Sequence, residues 1–343
     1  MNLFELTRRL IDIPSPSGEE GEVGRFLASH LGGLGYAVES QEVAEGRANV
    51  IATTRARPRV VLSTHMDTVP PCIPSREDAT HIHGRGACDA KGIIAAQIAA
   101  SERLRAEGFA EVGLLFTVDE ELGSVGARAA NEHALARDCE FLINGEPTGN
   151  KLAVGSKGSL RVRLACEGRA AHSAYPEHGD SAIEKLLDVL ADVRACAWPA
   201  DEFFGETTCN VGTVAGGTRP NVIPAEAEAV LQLRLVTDSS RVKGILERTV
   251  AGRARVEYLS VAEPVRMRAV EGFESEVVRF TTDIPYLTNW GVPLLLGPGS
   301  ILDAHTAHEK VSKRELVESV DLYVRLARSL LTTTNDEHVV THA

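Results

Sequence analysis

His65 and Asp67 stand two residues apart where the apolar run Val60, Val61, Leu62 gives way to "STHMDTVPP". Side chains at i and i+2 of an extended segment point the same way. The imidazole and the carboxylate can therefore serve one site, the first as a metal ligand and the second as the acceptor that orients its ring. A surface turn would explain the pair if it stood alone, but other apolar runs end in the same manner. "VGLLFTV" leads to Asp119, Glu120 and Glu121, and "CEFLIN" to Gly145 and Glu146. "VPLLL" leads through Gly297, Pro298 and Gly299 to Asp303 and His305, and "HGRGACDAKG" puts Asp89 in a glycine-rich loop ahead of a helix. Carboxylates gathered like this repel one another and hold protons at neutral pH unless a cation joins them. The inventory is two histidines, His65 and His305, with Asp89, Glu120, Glu121 and Glu146. Imidazole and carboxylate without thiolate point to zinc first, with manganese or cobalt as alternatives. Six such residues suffice for two ions that share a bridging carboxylate and hold a water between them.

The elements that must position these groups follow from the pattern of apolar residues. Helical spacing over Leu3 to Ile11 is followed by strands near Asn49 to Thr53 and Arg59 to Ser63, a helix over Gly92 to Glu107 and a strand at Val112 to Val118. A helix around Ser124 to Ala134 and a strand at Glu140 to Asn144 complete the first part. Short continuous apolar strands alternating with helices predict an α/β class domain with a mostly parallel sheet covered by helices. In such sheets ligands bind beyond the carboxyl ends of the strands, which is where all these polar groups fall. From Lys157 the pattern becomes strand, helix, strand, strand, helix, strand, the order of a ferredoxin-like α+β unit. This places a second domain at 157–262, inserted into a discontinuous first domain of 1–156 and 263–343. A last helix is predicted near Lys313 to Leu331, and the tail "TTTNDEHVVTHA" is predicted to fray.

Composition excludes several classes. The chain has 343 residues, 43% of them apolar, and a net charge of −12. Nucleic acid and anionic membranes both need a basic face, so neither is an expected partner. No signal peptide and no apolar run long enough to span a bilayer is read, and the expected location is cytoplasmic. The six cysteines include no C-x-x-C pair and are read as reduced. "GRGACDAKG" lacks the G-x-G-x-x-G arrangement of a dinucleotide site.

The stretches "STHMDTVP", "GRGACDAKG", "TVDEELGSVGA", "NGEPTG" and "GPGSILDAHTAHE" resemble, in order and rough spacing, five motifs of the di-zinc deacylase and metallopeptidase family. That family includes acetylornithine deacetylase, succinyl-diaminopimelate desuccinylase, aminoacylase and glutamate carboxypeptidase, and the resemblance covers nearly the whole chain. It implies a phosphorylase/hydrolase-like catalytic domain with an inserted lid and dimerisation domain, and a homodimer formed through that insertion. It implies that His65, Asp89 and Glu146 bind one metal and Asp89, Glu121 and His305 the other, with Asp89 bridging. Asp67 would fix the ring of His65, and Glu120 would act as general base and acid. "GRAAHSAYPEHGDSA" resembles the family's histidine motif, which makes His172 the residue that stabilises the oxyanion in a neighbouring site. "GGTRPNVIPAEAEAVLQLR" resembles a segment in which Asn221 and Arg234 contact substrate. His308 stands three residues from His305 at a position commonly acidic in the family and is read as a bystander, as are His81, His83 and His178.

Within the family, "TTDIPYLTNWGVPLLLGPGSILDAHTAHE" resembles the acetylornithine deacetylase branch, although Asp283 stands where glutamate is frequent and the chain is short for that branch. The implied activity is hydrolysis of an N-acetyl amino acid, N-acetylornithine or a close analogue, which would belong to arginine biosynthesis. The alternative is a dipeptidase, carboxypeptidase or desuccinylase on the same machinery. A metal-binding protein without catalysis is disfavoured, because a scaffold that only holds metal needs no free Glu120 beside its ligands.

Overall fold

The structure is a computed structural model and describes residues 1–54 and 57–332; most of the tail predicted to fray lies outside the described residues. It divides into two compact units, the first made of Met1–Val154, Met267–Glu276 and the chain from Thr282, the second of Gly155–Arg266 and Val277–Thr281. Val277–Thr281 therefore packs with the second unit, whereas the sequence pattern assigns it to the first.

In the first unit six strands line up side by side: β1 (Ala37–Ala44), β2 (Arg47–Thr53), β3 (Val60–His65), β4 (Val112–Thr117), β5 (Phe141–Asn144) and β6 (Val292–Leu295). Their order across the sheet is β1, β2, β4, β3, β5, β6. β3, β4, β5 and β6 run parallel, so their carboxyl ends share one edge, with His65 beside Thr117 and Asn144 opposite both Ser63 and Leu295. All residues of β3 and β4 are buried, as expected of strands covered on both faces. Val60, Leu62, Leu114, Phe116 and Ile143 belong to one core cluster, with residues of the helices Lys91–Ala106 and Lys313–Thr332. Val61, Leu115 and Leu142 belong to another, built around Trp290. The indole of Trp290 is fully buried and donates to the carbonyl of Ala130 at 3.0 Å. Each such apolar side chain stabilises the sheet by about 1.5–3 kcal/mol, which holds the strand ends rigid under the polar groups they carry.

The structure departs from the predicted elements at the amino end. The strand near Asn49 to Thr53 is one arm of an antiparallel hairpin with β1 and pairs antiparallel with β4. β1 and the helix Gly21–Gly33 are absent from the sequence reading. β1 is largely exposed, and an exposed edge strand carries no apolar run to betray it. The helix predicted around Ser124 to Ala134 is shorter, Val125–Asn131, and passes into a 3₁₀ turn at Ala134–Asp138.

The second unit contains an antiparallel sheet of strands Thr208–Gly216, Glu226–Leu235, Gly158–Glu167 and Arg255–Ala262, in that spatial order. Helices Ala182–Ala195 and Ser239–Val250 supply Leu186, Val189, Leu246 and Val250 to its core. Numbered along the chain, the strand order is 4-1-3-2, the ferredoxin-like arrangement. Ser181 caps the first of these helices by accepting from the Glu184 amide. No helix among the described residues is long and apolar enough to cross a membrane.

Candidate metal centre

His65 is the last residue of β3 and is buried, its Nε2 2.9 Å from Asp89 Oδ1. The other Asp89 oxygen, Oδ2, lies 3.2 Å from His305 Nε2, which is also 2.9 Å from Glu121 Oε1. Asp89 thus turns one oxygen to each imidazole. It is delivered by the glycine-rich loop just before the helix Lys91–Ala106. His305 has φ of +63°, a left-handed conformation uncommon outside glycine. Oxygen and nitrogen donors of His65, Asp89 and Glu121 all lie within 4.8 Å of one another, close enough to hold a metal ion. Two ligands each about 2.1 Å from a tetrahedral ion are about 3–3.5 Å apart, close to the separations of the two His–Asp89 pairs.

Electrostatics support the same use. Burial pushes Glu120 well above the ordinary carboxylate range, and the charge of Glu146 adds to it. Glu146 is raised in the same direction by burial, against the charge of His65 and with that of Asp89. Burial disfavours charge on His65, but hydrogen bonds to Asp67 and Asp89 outweigh it and raise its pKa. Hydrogen bonds to Asp89 and Glu121 raise His305 to about 10. Carboxylates shifted toward protonation and imidazoles shifted toward charge mark a cluster short of positive charge, which divalent ions would supply. Glu146 Oε1 is buried and has no hydrogen-bond partner, a costly state for a carboxylate that binding a metal ion would relieve. The donor set fits two hard or borderline divalent ions.

The surrounding shell differs in detail from the sequence reading. His65 Nδ1 lies 3.0 Å from the backbone carbonyl of Asp67 and 3.5 Å from its carboxylate, so the closer orienting partner is the main chain. The Asp67 carboxylate accepts from Ser17 Oγ at 2.6 Å and from the amides of Glu120 and Glu121 at 3.0 and 3.1 Å. It therefore fixes the backbone on which both acids stand. Glu309, which sequence reasoning passed over, does the same for the loop of Asp89. Its buried carboxylate pairs with Arg85 at 2.6 Å and accepts from the amides of Gly86 at 2.9 Å and Asp89 at 3.2 Å. The signal for it was available, since a buried glycine-rich loop has amides that need an acceptor.

The sequence profile described as peptidase family M20/M25/M40 matches residues 61–329. The chain belongs to this family. It is a metal-dependent hydrolase of the M20 type. A peptidase M20 domain-containing protein of Schizosaccharomyces pombe is 37% identical over 336 residues, covering 95% of this chain and 84% of the relative. A protein of Aspergillus clavatus named a probable carboxypeptidase is 35% identical over 376 residues, covering 97% of this chain and 83% of the relative. The crystal structure of a Bacillus subtilis protein, described as a dinuclear metal-binding peptidase of the M20 family, superposes with a TM-score of 0.71 at 17% identity. That match covers 97% of this chain and 98% of the other, and it shows the shared fold.

Other residues singled out in this M20 chain fall elsewhere. His308 is exposed, and its amide donates to Thr306 Oγ1 at 3.2 Å. His81 and His83 lie on a short strand, and His83 Nε2 is 2.7 Å from Asp78. His172, Asn221 and Arg234 belong to the second unit. His172 is exposed, with Nδ1 accepting from the Ala174 amide at 3.2 Å, and forms an isolated bridge with Val222. Asn221 is exposed and accepts at its carbonyl from the Ser173 amide. Arg234 is half-buried and donates to Thr281 Oγ1 at 3.2 Å.

Proposed function

We propose that this enzyme is a two-metal carboxypeptidase or dipeptidase that cleaves an amide bond next to a free carboxylate. The observation that carries the reading is the way Asp89 divides its two oxygens between His65 and His305, beside the half-buried Glu120. His65, Asp89 and Glu146 would hold one ion, and Asp89, Glu121 and His305 the other, with zinc as the first choice and cobalt or manganese as alternatives. Bound there, divalent ions would make a water acidic and polarise the scissile carbonyl.

The chain's own residues would carry the remaining steps. Glu120 accepts the proton from the attacking water and delivers it to the leaving nitrogen. Burial and the charge of Glu146 raise the proton affinity of the Glu120 carboxylate, which suits it to taking up a proton and passing it on. The two amide hydrogen bonds to Asp67 hold the backbone of Glu120 and Glu121, so that one side chain could serve the reacting water and the other a metal. His172 would donate to the oxyanion in a neighbouring active site, and Asn221 and Arg234 would bind substrate, the guanidinium of Arg234 being suited to a carboxylate. In this reading the second unit serves as lid and homodimer interface. A cytoplasmic location is part of the same proposal.

The carboxypeptidase reading is preferred to the deacetylation of N-acetylornithine implied by the sequence motifs, because relatives 35–36% identical over nearly the whole of this chain are named probable carboxypeptidases. Both reactions hydrolyse an amide beside a carboxylate, so a substrate panel separates them. Zinc- or cobalt-loaded protein should cleave dipeptides or amino-blocked dipeptides with a free carboxyl end, and a chelator should abolish this turnover. Amidation of the carboxyl end should remove activity. Release of acetate from N-acetylornithine, with peptides untouched, would overturn the peptidase reading in favour of the deacetylase.

A further inference from the structure

We propose that Glu20 and Arg47 are positioning residues for Glu120, acting by holding Asp119 in the turn from which the two acids project. The inference rests on the reading of Glu120 as the proton carrier. Asp119 adopts a left-handed conformation, φ +69°, which a residue other than glycine rarely takes and which persists where its surroundings over-determine it. Here the surroundings do so. The Asp119 amide donates to Glu20 Oε1 at 3.1 Å, and its carboxylate accepts from Arg47 Nη2 at 2.9 Å. Its carbonyl accepts from the amides of Ser124 at 2.7 Å and Gly123 at 3.1 Å. Glu20 and Arg47 are locked together by a two-point ion pair, Nε to Oε2 at 2.6 Å and Nη2 to Oε1 at 2.8 Å. The Glu20 side chain is fully buried and also accepts from the Gly18 amide at 3.1 Å.

A buried ion pair is often no more stabilising than apolar residues of similar volume, so fold stability alone does not account for this one. Its geometry does. The same segment reaches the other side of the two acids, because Ser17 Oγ donates to the Asp67 carboxylate that receives the Glu120 and Glu121 amides. Residues 17–20 and Arg47 thus grip the chain on both flanks of Glu120. All of them precede the 61–329 span that the family profile matches.

The test uses the metal-loaded full chain. Replacing both partners, Glu20→Met with Arg47→Met, removes the ties to Asp119 and takes out the Glu20–Arg47 charges together, leaving the Asp119 carboxylate without its guanidinium. Displacing a catalytic group by about an ångström costs about 10²-fold. The double variant should therefore lose about ten- to a hundredfold in kcat, with KM changed less than about threefold and metal content unchanged. In a Glu120→Gln background the same replacements should cost less than about threefold in residual turnover, since there is no carboxylate left to misplace. Wild-type kcat in the folded variant, or an equal loss in both backgrounds, would overturn the proposal. If the double variant does not fold, Arg47→Lys keeps the charge but not the fork, and a kcat equal to wild type in that variant would overturn it equally. Glu120→Gln alone separates the two ideas. An inactive Glu120→Gln beside a fully active clamp variant defeats only the clamp, whereas wild-type turnover in Glu120→Gln defeats the role of Glu120 and the clamp with it.

Discussion

Glu120→Gln should lower kcat by about 10³–10⁴-fold while leaving two metal ions per chain. Glutamine keeps the volume and the backbone contacts of the turn, including the Glu120 amide that donates to Asp67 at 3.0 Å. It removes only the ability to take a proton and pass it on. His305 pairs with Glu121 and Asp89, so the imidazoles of the cluster do not depend on Glu120. Kinetics on the preferred peptide together with elemental analysis of the dialysed protein would check this. Retained turnover would remove Glu120 from the chemistry, and loss of metal would make it a ligand.

Asp89→Asn should be as damaging for a different reason. Asp89 offers Oδ1 toward His65 and Oδ2 toward His305, whereas asparagine offers one oxygen and an amide nitrogen that cannot ligate in its place. One ion loses a donor, and both lose the shared negative charge. Charge stabilisation of several kcal/mol is at stake, so kcat/KM should fall by about 10³-fold or more. Bound metal should drop below two per chain. Two ions retained at full affinity would show that Asp89 does not bridge.

Much of this centre was legible in the sequence because strand and ligand signals coincide. A buried parallel strand shows as a continuous apolar run, and the residue that follows it lies at the ligand edge; His65, Glu120, Glu121 and Glu146 were found in this way. The amino-terminal hairpin was not, since β1 is mostly exposed and gives no such run. Glu20, Arg47 and Glu309 escaped for another reason. Their partners are remote in sequence, Arg47 being 72 residues from Asp119 and Glu309 220 residues from Asp89. A lone charged residue carries no mark of the backbone amide it will reach. The Asp67 carboxylate shows the same limit: its spacing from His65 announced the contact with the ring, present at 3.5 Å, but not the two amides of Glu120 and Glu121 that it also receives. Substrate choice was the least legible, because the groups proposed to govern it, such as His172 and Asn221, are exposed and of types common on any surface.

The measurement that tests the account most directly is anomalous diffraction, above and below the zinc edge, from crystals of the zinc-loaded protein. The account predicts two anomalous peaks flanking Asp89, one bound by His65 and Glu146 and the other by Glu121 and His305, with Glu120 touching neither. A single peak, or an ion bound by Glu120 or His308, would contradict it.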